Sequence, residues 1–169
     1  MKTLLLGDSL TAWHEWQECL GPHINHAVPG ETTEGLLYRL GRSLSASPER
    51  IFLMIGTNDL LQNIPMEKIR ANYEQLLNEL LEIEQLYILS VPPVEEASQT
   101  AGINDAIVDL NRWVREQLWK YGFVYVDLHN ALAEGKGIRG EYTTDGVHLS
   151  EAGYAVCERM LGEILEEEG

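Results

Sequence analysis

Short apolar runs alternate along this chain with longer stretches in which apolar residues recur every three or four positions, and nearly every run stops at a small polar turn. Leu4-Leu5-Leu6 breaks at Gly7-Asp8-Ser9, Ile24 to Val28 at Pro29-Gly30, and Ile51 to Ile55 at Gly56-Thr57-Asn58-Asp59. Leu86 to Val91 breaks at Pro92-Pro93, and Phe123 to Leu128 is the fifth run. Such runs read as buried strands. The periodic stretches read as helices. Trp13, Trp16, Gln17 and Leu20 form one helical face, and Leu36, Leu37, Leu40 and Leu44 a second. Pro65 opens a third helix with Ile69, Tyr73, Leu76, Leu77, Leu80 and Leu81 in its stripe. Ile103, Ile107, Leu110, Val114, Leu118 and Tyr121 mark a fourth, capped by Gly122. Asn111 falls beside that stripe and is expected to face solvent. Ser150 is placed to cap a last helix carrying Val156, Met160, Leu161, Ile164 and Leu165.

Strands alternating with helices predict an α/β protein: a five-stranded parallel sheet covered by helices on both faces, with right-handed crossovers. The 169 residues suit one domain spanning 1–169. Neither an internal repeat nor a linker interrupts the pattern. Asn130 to His148 is too long to serve only as a connection, so it is expected to be an irregular, functional segment. In such a sheet the turns at Ser9, Gly30, Asn58 and Pro92-Pro93 all follow strands. They converge on the carboxyl rim, where open α/β sheets bind ligands.

The formal charge of −15 argues against nucleic acid, since the 12 Lys and Arg residues form no basic stripe. It also favours a neutral or cationic small-molecule substrate over a strongly anionic one. Part of the acidity lies in Glu163, Glu166, Glu167 and Glu168, read as a solvated helix end. No run reaches the roughly 18 apolar residues of a membrane span, and the first strand begins too early for a secretory signal. A cytoplasmic location is expected. Cys19 and Cys157 read as two reduced thiols. His14, His23 and His26 lack the companions of a metal site, so no metal and no cofactor is expected. A homo-oligomer is compatible with the chain, which leaves the oligomeric state open.

A serine attacks an acyl carbon when a base takes its proton and a third group orients the base. In Thr144-Asp145-Gly146-Val147-His148 the spacing lets Asp145 reach one imidazole nitrogen of His148 and leaves the other for Ser9. The backbone N–H groups of Ser9 and Gly30 and the Asn58 amide would supply an oxyanion hole. Trp13 and the turn at Pro92 are candidates for the substrate-binding walls, with Trp16 packing in the core. Ser9 as a plain N-cap and Asn58-Asp59 as an Asx-type turn are the structural alternatives. Asp8 and Asp59 are expected to be structural.

With these blocks in this order, the chain resembles the SGNH or GDSL hydrolases: Gly7-Asp8-Ser9-Leu10, Gly30, Gly56-Thr57-Asn58-Asp59 and Asp145-Gly146-Val147-His148-Leu149. Members similar to platelet-activating-factor acetylhydrolase catalytic subunits look closest. The resemblance implies a three-layer, flavodoxin-like α/β/α sandwich and ester or thioester hydrolysis. It also implies Ser9 as nucleophile, His148 as base, Asp145 as orienting acid, and Gly30 and Asn58 as oxyanion donors. One departure is Asn25-His26-Ala27-Val28-Pro29-Gly30, where Pro29 has no N–H to donate and Gly30 carries the role alone. The expected activity is hydrolysis of a carboxylic ester with a short acyl group such as acetyl. The rivals are an acyltransferase or thioesterase on the same triad, and a non-catalytic flavodoxin-like module binding a nucleotide or flavin. Gly41-Arg42-Ser43-Leu44-Ser45 lacks the last glycine of a nucleophile elbow, which counts against the α/β-hydrolase fold.

Overall fold

A computed structural model describes residues 1–167. Five parallel strands, β1 (Thr3–Gly7), β2 (His23–Asn25), β3 (Arg50–Met54), β4 (Gln85–Leu89) and β5 (Val124–Val126), form one sheet in the order β2-β1-β3-β4-β5. The chain leaves β1 toward β2 and then crosses back to β3, so the order reverses between β1 and β3. Such a reversal opens a crevice above the carboxyl ends of the two strands. Their register pairs Gly7 with Met54, which releases the Ser9 and Asn58 turns side by side.

Alternation along the strands builds two cores. Leu4, Leu6, Ile51, Leu53 and Ile88 face one layer, formed by α3 (Thr33–Leu44), α5 (Met66–Glu79) and α6 (Ile103–Glu116). Leu5, Phe52, Met54, Tyr87 and Leu89 face the other, formed by α1 (Ser9–Ala12), α2 (Gln17–Leu20), α8 (Leu128–Leu132) and α9 (Glu151–Glu167). Each fully buried large side chain contributes about 1.5–3 kcal/mol. The three-layer α/β/α sandwich is therefore a direct consequence of strands that are apolar on both faces. Two further short helices are α4 (Thr57–Leu61) and α7 (Leu118–Tyr121).

Several local expectations differ from the fold. Trp13, Trp16, Gln17 and Leu20 do not share one helix, because the chain breaks between α1 and α2 and the indole of Trp16 donates to Thr11 O at 2.9 Å. The N-cap of α1 is Asp8, whose carboxylate accepts from Leu10 N, so Ser9 is the first helical residue rather than the cap. Asn58-Asp59 lie within the short helix α4, which begins at Thr57, rather than in an Asx turn. Leu81 lies just past α5 and is exposed. Asn111 is buried, because both ends of its amide bond the backbone of Val91. The Asn130–His148 stretch is more ordered than expected: it holds the end of α8, a hairpin of β6 (Ala133–Glu134) and β7 (Gly137–Ile138), and a 3-10 turn at Gly140–Tyr142.

Other expectations hold. Ser150 Oγ accepts from Gly153 N at 3.2 Å at the start of α9, and Gly122 ends α7 in the left-handed region. Cys19 and Cys157 are free. Glu163, Glu166 and Glu167 are exposed, while Glu168 lies outside the described residues. Among the described residues no helix is long and apolar enough to cross a membrane.

Candidate active site

Ser9 leaves β1 at the first turn of α1, held from below by the cap on Asp8. Its hydroxyl lies 3.0 Å from Nε2 of His148, a residue 139 positions away in the chain. On the far side of the ring, Nδ1 lies 2.6 Å from Asp145 Oδ2. A carboxylate only accepts, so Nδ1 carries the ring hydrogen and the Nε2 lone pair faces the Ser9 hydroxyl. The second oxygen, Asp145 Oδ1, accepts from the backbone N–H of His148 at 2.7 Å and of Val147 at 2.9 Å. Burial acts upward on the Asp145 carboxyl, but the His148 backbone and ring and the Val147 N–H outweigh it and hold the group down at about 2. Asp145 is thus ionised across the neutral pH range and fixes the tautomer that leaves the Nε2 lone pair facing Ser9.

The loop bearing this pair is closed on itself. Thr144 N donates to His148 O at 3.0 Å, Thr143 Oγ1 donates to the same oxygen at 2.7 Å, and Gly146 N donates to Thr143 Oγ1 at 2.9 Å. Trp13 is 61% exposed and lays its indole on His148, with ring centroids 4.7 Å apart. The structure therefore brings Trp13 to the rim beside the imidazole and sends Trp16 into the core. Pro92 is buried in the segment that follows β4.

Gly30 occupies the third position of a turn closed by Glu31 N donating to Val28 O at 3.1 Å, with Pro29 second. Its φ of +80° is what a type II turn demands there, a conformation glycine adopts without steric cost. The Ser9 and Gly30 N–H groups have no protein acceptor among the described residues. Asn58 Nδ2 donates to Glu31 O at 3.0 Å and points its second hydrogen toward Asp8 Oδ2 at a long 3.5 Å. The first contact fixes the Asn58 amide against the Gly30 turn, and the second leaves one hydrogen only weakly held.

Below this rim lie two buried carboxylates. Asp59 accepts from Thr33 N at 2.9 Å and Thr33 Oγ1 at 2.7 Å, and Asn72 donates to the same hydroxyl at 2.9 Å, tying α3, α4 and α5 together. Burial raises its pKa despite those bonds. Burial likewise pushes Asp8 up to about 7, against the pull of the Leu10 N–H and the nearby His148. On the other face Tyr154 donates to Leu10 O at 2.8 Å, bolting α9 to α1. Neither Asn72 nor Tyr154 stood out in the sequence, where each reads as an ordinary helical residue.

Residues 5–156 match the family model of the GDSL-like lipase/acylhydrolase family, and the chain belongs to that family. Among solved structures, a Streptococcus pneumonia protein provisionally assigned as a platelet activating factor superposes with a TM-score of 0.87 at 28% identity, over 96% of this chain and 83% of that one. An Enterococcus faecalis lipase/acylhydrolase superposes at 0.84 with 22% identity, over 99% and 97%. A Geobacillus acetyl-xylooligosaccharide esterase superposes at 0.79 with 20% identity, over 99% and 94%. The last two show likeness of fold. By sequence the chain is 26% identical over 149 residues to an N-acylneuraminate cytidylyltransferase of Streptococcus agalactiae, a match covering 88% of this chain and 35% of that protein. The chain thus spans about a third of the length of that relative.

Proposed function

We propose that the chain is a single catalytic domain acting as a serine esterase on small O-acyl esters, acetyl esters foremost. The observation that carries this reading is the unbroken relay from Ser9 Oγ through His148 to Asp145, with contacts of 3.0 and 2.6 Å. His148 Nε2 takes the hydroxyl proton as Ser9 Oγ attacks the acyl carbon, and the carbonyl π bond opens to an oxyanion. The Ser9 and Gly30 N–H groups and the weakly held Asn58 hydrogen receive that charge. Collapse expels the alcohol, which takes the proton from His148 and leaves an acyl-enzyme. Water, deprotonated by the same His148, then attacks the acyl carbon; the ester bond to Ser9 breaks, Ser9 Oγ takes the proton back from His148, and the acid departs. This sequence requires no cofactor.

A family of acylhydrolases and a neighbour named for acetylated xylooligosaccharides support an acetylated carbohydrate as substrate. The nucleotidyl transfer named for the Streptococcus agalactiae relative is not carried over, because the match covers 35% of that protein. The test is turnover of p-nitrophenyl acetate together with fluorophosphonate labelling read by mass spectrometry. Labelling at Ser9, and loss of both label and turnover in Ser9→Ala, are expected. Full activity in Ser9→Ala would end the proposal.

A further inference from the structure

The segment after β4 runs Val91-Pro92-Pro93-Val94, and both of its valines are bonded to α6. Two prolines have no N–H to offer, so Val91 and Val94 hold the segment's only backbone donors. Both are taken by asparagines of α6. Val91 N donates to Asn111 Oδ1 at 2.8 Å while Asn111 Nδ2 donates to Val91 O at 2.9 Å. Val94 N donates to Asn104 Oδ1 at 2.9 Å while Asn104 Nδ2 donates to Val94 O at 2.9 Å. The spacings match: seven helical residues rise about 10 Å, and three extended residues span about 10 Å. The two amides therefore act as a ruler that sets the register of the strap on the helix.

The strap ends on the base-bearing loop. Glu95 N, one residue past the Asn104 clamp, donates to Gly146 O at 2.7 Å, between Asp145 and His148. Gly146 sits at φ +93°, and a Cβ there would meet Ser98 Oγ at 2.7 Å and Glu95 Cβ at 3.1 Å, so the loop is seated on the strap with no space between. Val94 O also accepts from Ile138 N at 3.3 Å, which draws in the β6–β7 hairpin. We propose that Asn104 is a positioning residue: through Val94 and Glu95 it sets the height of the Gly146 turn and hence the reach of His148 to Ser9. Asn111 does the same for the upstream end of the strap, at one remove. The Asp145–His148 pair is internal to its own loop and survives loosening of the strap. What is lost is the alignment of that loop on Ser9.

This inference rests on the proposed roles of Ser9 and His148, and Ser9→Ala serves as the control that tests those roles separately. Asn104→Ala, Asn104→Asp and Asn111→Ala are assayed on a small ester at a temperature where melting curves show each variant fully folded. Asn104→Ala is expected to lose at least tenfold in kcat with KM within about twofold of wild type. Amide exchange of Glu95 speeds up in the same variant. Asn104→Asp keeps the acceptor for Val94 N–H, recovers part of the rate, and serves as the folded variant should the alanine fail to fold. Asn111→Ala loses less kcat, although its clamp has the same geometry. A folded Asn104→Ala with kcat within twofold of wild type overturns the inference, as does an equal or larger loss of kcat in Asn111→Ala. In either case an inactive Ser9→Ala keeps the nucleophile assignment intact.

Discussion

The two halves of the site are built differently. Ser9, Asp8 and Asp59 are buried, at 7%, 1% and 0% exposure, on turns that leave the two central strands β1 and β3. The side chains of His148 and Asp145 are 28% and 54% exposed on a loop tied down by Thr143, Thr144 and the strap at Glu95. The Ser9 half inherits the rigidity of the sheet, so its geometry and the stability of the fold are one property. The His148 half depends on a handful of loop hydrogen bonds, each contributing on the order of 1 kcal/mol. Substitutions in the first half should therefore cost stability as well as rate. In the second they should cost rate alone.

The largest effect expected is on chemistry. Ser9→Ala and His148→Ala should each reduce kcat for p-nitrophenyl acetate by about 10⁴-fold or more. His148→Ala should leave the urea midpoint nearly unmoved; a large drop would break the contrast between the halves. Next comes Asn58→Ala, expected to lower kcat by about 10²–10³-fold through loss of a proposed oxyanion donor. It should also loosen the Gly30 turn held through Glu31 O. Asp59→Ala strands the Thr33 N–H and hydroxyl in the core, and a loss of about 2–4 kcal/mol in urea denaturation is expected. The smallest effect is at Trp13, whose exposed indole rests on His148. Trp13→Ala should raise KM severalfold in steady-state assays with little change in melting temperature.

pH separates the halves again. Asp8 has its pKa raised from 3.8 to about 7, chiefly by burial, so between those values the folded protein keeps a proton that the unfolded chain has released. Its stabilising contribution is full below the lower value and is lost as pH rises through the upper one. Urea denaturation at pH 5 and pH 8 should show a decline in wild type and a smaller one in Asp8→Asn. Asp145 has the opposite sign: held at about 2, it stays ionised throughout, so its protonation does not set the acid limb of activity.

Fold class and most of the candidate site follow from local patterning. Apolar runs with both faces buried, each followed by a periodic helix, leave a parallel sheet with helices on both sides as the consistent packing. The turns after β1, β2 and β3 then reach one rim by chain direction alone, which is why Ser9, Gly30 and Asn58 could be named together. Asp145 and His148 could be paired because three residues within a turn suffice for their contact. What patterning misled on were residues whose roles depend on partners far along the chain. Asn111 looked like a polar residue on the wet side of its stripe, yet it is buried because the proline strap has two N–H groups and nothing else to satisfy them. Asn104 and Asn72 were silent for the same reason.

The order of polar and apolar residues determines periodicity, and periodicity is a property of the backbone, so elements and layers can be read from one strand of letters. Which buried amide meets which orphaned N–H is decided only when α6 docks on the strap and the strap meets the Gly146 turn. Those contacts join residues that no local rule links. The 3.0 Å approach of His148 to Ser9 is the outcome of that docking.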